Sequence, residues 1–195
     1  PERGDVVILT PRDQSSDYIK RVIGLPGDTI ELRGGQVFLN GVAVLQDVQP
    51  DLQVPIDANN PCNPQEFPGA RGVDADGNAV CNLPILRETL PNGVSYNIID
   101  LGPQYTDDVA PVQIPEGQVY LLGDNRDLSA DSRVSSPLGL GGPIPWENIG
   151  GRAEFITFSL DGTTSLNPLT WFSSFRSGRA GLSLRPAKAA VTPAK

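Results

Sequence analysis

The chain has 195 residues, 38% of them hydrophobic, which suits one globular unit or one core carrying a large insertion. Its formal charge of −8 is uneven: residues 1–170 hold 10 basic and 23 acidic side chains, whereas residues 171–195 hold five basic ones (Arg176, Arg179, Arg185, Lys188, Lys195) and no acid. The acidic body excludes a nucleic-acid-binding role. The absence of histidine removes Ser–His and Cys–His catalysis and every histidine-based metal site.

Glycine (21) and proline (19) are abundant and helical periodicity is hard to find, so turns and strands are expected to dominate. The chain starts abruptly at Pro1-Glu2-Arg3-Gly4-Asp5, carries no methionine, and shows neither a signal-peptide pattern nor an apolar run long enough to span a membrane. It reads as part of a longer protein. Val6 to Leu9 is the first strand, apolar throughout and hence buried on both faces. Pro11 to Ser16 is a loop. A second strand follows in Asp17-Tyr18-Ile19-Lys20-Arg21-Val22-Ile23, closed by the turn Gly24-Leu25-Pro26-Gly27-Asp28. Alternation puts Tyr18, Lys20 and Val22 on one face and Ile19, Arg21 and Ile23 on the other. A lysine inside an apolar strand is the anomaly here.

Thr29 to Arg33 and Gln36 to Leu39 form a hairpin about Gly34-Gly35, and Asn40-Gly41 makes another turn. From Ala43 to Pro115 the chain is acidic, broken by prolines, and reads as an inserted region of short strands and loops. It holds Cys62 and Cys81, which cannot form a zinc site alone; a disulfide between them would help to hold the loops and favours an oxidising compartment. Asp74-Ala75-Asp76-Gly77-Asn78 and Asp127 to Asp131 both fail the calcium-loop pattern, and Asp76-Gly77 and Asn92-Gly93 read as turns. No metal or other cofactor is expected.

The core resumes with Gln118-Val119-Tyr120-Leu121-Leu122, a buried strand broken at Gly123. Gly123-Asp124-Asn125-Arg126-Asp127-Leu128-Ser129-Ala130-Asp131-Ser132-Arg133 then packs three acids, two arginines and two serines into eleven residues. Such a density of mixed charge suits a structured loop that orients polar side chains beside a reaction. Gly151 to Leu160, with Phe155, Ile156 and Phe158, reads as a last strand. The expected division is thus core at 1–42 and 116–170, insertion at 43–115, and a basic, flexible tail at 171–195, where contact with anionic lipid is the second reading.

These segments resemble the type I signal peptidases, the bacterial leader peptidases. Arg3-Gly4-Asp5-Val6-Val7 is similar to the family's first strand motif, Tyr18 to Asp28 to its lysine motif at nearly every position, Gly123 to Arg133 to its Gly-Asp-Asn-Arg-Asp-x-Ser-x-Asp-Ser-Arg motif at every fixed position, and Gly151-Arg152-Ala153 to a short motif that follows. The resemblance runs from residue 3 to about residue 160, apart from the insertion. It implies a mostly β fold, an antiparallel core with a smaller inserted β cap. It implies a membrane-anchored serine endopeptidase on the extracytoplasmic side of the bacterial inner membrane, acting on signal peptides with Ala-x-Ala sites. It assigns Lys20 as general base, Ser129 as the hydroxyl that orients Lys20, and Asp124, Arg126, Asp131 and Arg133 as an ion-pair scaffold. Arg21, on the face opposite Lys20, is placed to pair with a carboxylate such as Asp124.

The family's nucleophilic serine lies in a Ser-x-Ser-Met type motif some tens of residues before the lysine. Only nineteen residues precede Lys20 and none carries that motif, so the chain resembles the carboxy-terminal part of the enzyme and is expected to be inactive alone. The chemistry agrees: a serine hydroxyl needs a base, and without histidine that base is a neutral lysine, whose ordinary pKa near 10.4 must be lowered by burial. Ser15 and Ser16 lie too near Lys20 in sequence, and Ser-x-x-Lys spacing would need serine where Asp17 stands. Two other readings share these residues: a repressor-type self-cleaving serine–lysine protease, and a non-catalytic β module that binds extended peptides by strand addition.

Overall fold

The computed structural model describes residues 1–11, 16–163 and 174–188. Within them the chain is nearly all β, as expected. The strands are β1 (Val6–Leu9), β2 (Tyr18–Gly24), β3 (Thr29–Arg33), β4 (Gln36–Leu39), β5 (Val42–Ala43), β6 (Leu45–Pro55), β7 (Arg71–Val73), β8 (Ala79–Thr89), β9 (Val94–Ile99), β10 (Val109–Gln113), β11 (Gln118–Leu122), β12 (Ile144–Pro145), β13 (Ile149–Arg152) and β14 (Ala187–Lys188). One 3₁₀ turn, Trp146–Asn148, links β12 to β13. The sheets run β12-β11-β2-β1-β13, β10-β3-β4-β5 and β14-β9-β8-β6, with β7 also paired to β8. Every strand pairing with a recorded register is antiparallel.

The chain divides into two compact units. The first comprises residues 1–49, 85–153 and 185–195; the second comprises residues 50–84 and 154–184. In the first, β2 feeds two apolar clusters because its side chains alternate. Val22 packs with Val7, Leu9, Val119, Leu121 and Ile144, and Tyr18 lies against the same cluster. Ile23 points the other way, into a larger cluster with Ile30, Leu32, Tyr96, Ile98, Tyr120 and Leu122. The register Val7↔Lys20 and Leu121↔Val22 keeps the faces of β1, β2 and β11 in phase. The β3–β4 hairpin turns on Gly34 and Gly35 at φ 52° and 82°, the left-handed pair that a two-residue hairpin with the right twist needs.

In the second unit Cys62 and Cys81 are joined in a disulfide with Cα atoms 5.7 Å apart. Around it Arg71 donates to the carbonyl of Cys62 at 3.0 Å, and β7 pairs with β8 at Arg71↔Cys81. Residues 74–78 form the expected turn, in which the Asp74 carboxylate accepts the backbone N–H of Asp76 and Asn78.

Three sequence expectations differ from what is observed. The inserted region was read as short strands, yet β6 and β8 are eleven residues each. Pro50, Pro55 and Pro84 read as breakers, but Pro50 and Pro55 lie on β6, an edge strand where a missing N–H is tolerated, and Pro84 stands just before the β8–β9 register begins at Ile85↔Ile99. The strand expected over Gly151 to Leu160 is β13, which ends at Arg152, and it is not the last, since β14 follows. The Ala153 N–H reaches the carbonyl of Val6, the first residue of a four-residue strand, so no ladder remains beyond it. Past that point Phe155 and Leu160 make only isolated bridges, to Ser183 and Phe175, and Phe155 and Phe158 are 59% and 60% exposed. The basic tail is tied down over its described part by those two bridges and by β14, which pairs with β9; its remaining residues, 171–173 and 189–195, lie outside the described set.

Candidate active site

Lys20 and Arg21 are neighbours on β2 with opposite tasks. Lys20 faces the side lined by Tyr18, its ammonium 4.8 Å from the ring centroid, and it is half-buried. Burial holds the amine below its ordinary value. The carboxylates of Asp131 and Asp124 work against that shift and the Arg133 guanidinium works with it. The structure thus brings Lys20 into the electrostatic reach of the 123–133 loop, which begins 103 residues further along the chain.

Arg21 is buried on the other face. Its Nε and Nη2 donate to the two oxygens of Asp124 at 2.8 and 2.6 Å, its Nη1 donates to the carbonyl of Gly4, and its guanidinium stacks 4.2 Å from the Tyr96 ring centroid. The pairing anticipated from strand alternation is present. A bidentate guanidinium–carboxylate contact fixes distance and orientation together.

The loop itself is organised around Asp131, which is fully buried. Its Oδ2 accepts the N–H of Gly123 at 2.9 Å, and both oxygens accept from the Arg133 guanidinium at 2.9 and 3.0 Å. Arg133 in turn donates to the carbonyl of Arg126. Ser132 Oγ accepts the N–H of Leu121 at 3.0 Å, so the end of the loop is sewn back onto β11. Ser129 folds over Gly123: a Cβ built there would lie 2.1 Å from Ser129 Oγ and 2.5 Å from its Cβ. Only a residue without a side chain admits that contact. Ser129 Oγ is buried and has no hydrogen-bond partner among the described residues, Lys20 included.

Arg126 points away from Lys20 into the larger apolar cluster. It is 3% exposed and pairs through two bonds, of 2.8 and 2.5 Å, with Glu88, which is 0% exposed. Tyr96 Oη donates to Glu88 Oε2 at 2.8 Å and Gln46 Nε2 to Oε1 at 3.0 Å. Burial alone would push the Glu88 carboxyl up; Arg126 and the two neutral donors hold it below its ordinary value. The sequence reading missed Glu88, Tyr96 and Gln46. A signal existed: an acid at the inward phase of the alternating strand Ile85-Leu86-Arg87-Glu88-Thr89-Leu90 needs a counter-charge. The backbone adds a second tie, since the Ile99 N–H donates to the Asp124 carbonyl and the Arg126 N–H to the carbonyl of Ile99, the last residue of β9.

Residues 1–158 match the family described as "Signal peptidase, peptidase S26". The signal peptidase I of Rickettsia typhi (strain ATCC VR-144 / Wilmington) is 33% identical over 182 residues, covering 89% of this chain and 56% of that protein. That of Rickettsia prowazekii (strain Madrid E) is 33% identical over 184 residues, with the same coverage of 89% and 56%. The chain therefore spans about half the length of the curated relatives it matches. A solved signal peptidase I from Enterococcus faecalis V583 is 23% identical, over 78% of this chain and 95% of that one, at a TM-score of 0.38.

Proposed function

Because the chain belongs to the peptidase S26 family of signal peptidases, we propose that it is the lysine-bearing part of a serine endopeptidase that removes signal peptides from translocated preproteins. The observation that carries this reading is Lys20, an amine held below its ordinary pKa by burial beside a braced, charged loop. A serine from a segment upstream of Pro1 supplies the nucleophile, and its hydroxyl proton passes to neutral Lys20 Nζ as Oγ attacks the scissile carbonyl. The ammonium so formed returns that proton to the leaving amine, and the amine then activates the water that releases the acyl group. Arg133 opposes charging of Lys20, whereas Asp131 and Asp124 keep the resulting cation from being prohibitively costly.

Ser129 is the orienter in this reading: its buried Oγ has an acceptor and a donor to spare, and the amine is the group it would hold. Arg21, Asp124, Arg126, Asp131 and Arg133 keep the loop in register with β2. A substrate strand has a place to dock. The β11 ladder on β2 stops at Leu122↔Arg21, and Ile19, 63% exposed, lies just beyond it next to Lys20. An extended peptide ending in Ala-x-Ala meets that edge by strand addition. Among the described residues no helix is long and apolar enough to cross a membrane; an upstream anchor would hold the enzyme on the bacterial inner membrane with its site outside the cytoplasm. The disulfide of the second unit suits an oxidising compartment. By this reading the first unit carries the catalytic core and residues within 43–115 supply the cap.

The test is a cleavage assay on the protein carrying its native upstream residues, with a signal-peptide substrate. Lys20→Ala is expected to abolish turnover, and Lys20→Arg not to restore it, because arginine keeps its proton at working pH. Activity is expected to rise with pH through an apparent pKa below the ordinary 10.4. Full activity of Lys20→Arg would remove the base assignment.

A further inference from the structure

We infer that Glu88, far from the lysine and loop motifs in sequence, is a positioning residue for the candidate site: its buried carboxylate is the anchor that fixes the 123–133 loop against β2. The inference rests on the reading of Lys20 as a base but is separable from it. Glu88 has no exposed surface, and all four of its hydrogen bonds are inward. A buried charge is retained only where a counter-charge and donors satisfy it, and here they do so completely.

Two routes lead from Glu88 to Lys20. The first runs through the ion pair. Glu88 fixes the Arg126 side chain; the Arg126 carbonyl accepts from Arg133; Arg133 grips Asp131; and Asp131 accepts the N–H of Gly123, against which Ser129 lies. The second runs through the ring. Glu88 accepts from Tyr96 Oη, the Tyr96 face carries the Arg21 guanidinium, and Arg21 is the residue next to Lys20 and the partner of Asp124. Both routes end on the groups whose charges face Lys20, namely Asp131, Arg133 and Asp124. The groups facing Glu88 are Arg126 from the loop, Tyr96 from β9 and Gln46 from β6, with Arg21 of β2 behind the tyrosine ring. Neutralising Glu88 leaves Arg126 as a buried cation without its hydrogen-bonded counter-charge, with Asp124 acting on it only through space, and the loop must open to hydrate it. Lys20 then gains solvent, and its amine moves back toward its ordinary value.

The chain holds three lysines, Lys20, Lys188 and Lys195, so a titration of isotopically methylated lysines followed by NMR reads Lys20 almost without overlap. The test pairs that titration with amide hydrogen exchange on the 195-residue chain, for wild type, Glu88→Gln and Glu88→Asp. The expected result for Glu88→Gln is faster exchange confined to the loop amides of Gly123, Arg126 and Arg133, with the β3–β4 hairpin amides unchanged, and a Lys20 midpoint raised toward those of Lys188 and Lys195. Glu88→Asp keeps the charge with the carboxylate drawn back, and is expected to fall between the two; it decides the matter should the glutamine variant not fold. Exchange that rises uniformly across both loop and hairpin, or a loop and a Lys20 midpoint that do not respond, overturns the inference. A wild-type Lys20 that titrates together with the other two lysines refutes the base reading instead, and the exchange pattern still decides the role of Glu88.

Discussion

A lysine half-buried in an apolar strand opposes folding while it is charged. The folded-state pKa of Lys20 lies below the ordinary 10.5, so between those two values the unfolded chain binds more protons than the folded one. Stability contributed at this position therefore rises with pH across that window, and the penalty is fully present below it. Lys20→Met is accordingly expected to raise the melting temperature at pH 7, with the gap to wild type closing in scans taken toward pH 10.5; a lower melting temperature at pH 7 would mean that the ammonium is a structural cation. The neighbouring constraint is steric. A methyl group at Gly123 occupies the position of Ser129 Oγ, so Gly123→Ala is expected to reduce cleavage as far as Ser129→Ala does. That loss is smaller than the 10²–10⁴-fold a positioned base itself provides. The double variant is expected to be no worse than Gly123→Ala alone, since the added methyl group already displaces the hydroxyl by meeting the Cβ at position 129. Additive losses in kcat/KM would show two separate defects.

At the scale of elements, two of the first unit's buried carboxylates, Asp28 and Glu88, are each held by three donor residues. Asp28 accepts from Asn40, from the Leu25 N–H and from Arg3, and Glu88 from Arg126, Gln46 and Tyr96; although burial works to raise both, these donors hold both below their ordinary values. Depressed carboxyl pKa values add stability above the unfolded values and lose it as pH falls through the folded ones. Urea midpoints are thus expected to drop steeply below about pH 4, and less steeply in Glu88→Gln, which starts lower. Arg126→Ala, which strands the Glu88 charge, is expected to cost about 3–5 kcal/mol at neutral pH. In the second unit, reduction of Cys62–Cys81 is expected to cost roughly 3 kcal/mol, the closure entropy of a loop of that size, read as a lower melting temperature with reductant. The strands that build the candidate site were legible because their patterns are local: apolar runs at Val6–Leu9 and Gln118–Leu122, alternation at Tyr18–Gly24, and paired glycines at the hairpin. The Arg21–Asp124 pair followed from alternation plus one spare acid. Glu88 did not, because prolines disguised its strand and with it the inward phase of the carboxylate. The strand expected through Phe158 stops short for another reason: its residues suit a strand, but past Ala153 they meet residues 174–184 through scattered hydrogen bonds and isolated bridges rather than a ladder.

For the molecule as a whole, the proposed chemistry is split between this chain and the segment upstream of Pro1. The 195-residue chain is expected to leave a signal-peptide substrate uncut, while the same chain continuous with its native upstream residues cuts it. Turnover by the shorter protein that survives repurification would point to a serine within residues 1–195. Within that division of labour β2 is the shared wall of both apolar clusters, and Lys20 and Arg21 look out through opposite sides of it. One codon gained or lost between Tyr18 and Ile23 would turn the wall about. A cation that never releases its proton would then stand where the reaction needs an amine, and that amine would be sealed against Tyr96, where the fold needs a permanent charge. The spacing in this strand is therefore a heritable constraint stricter than the identity of most of its residues.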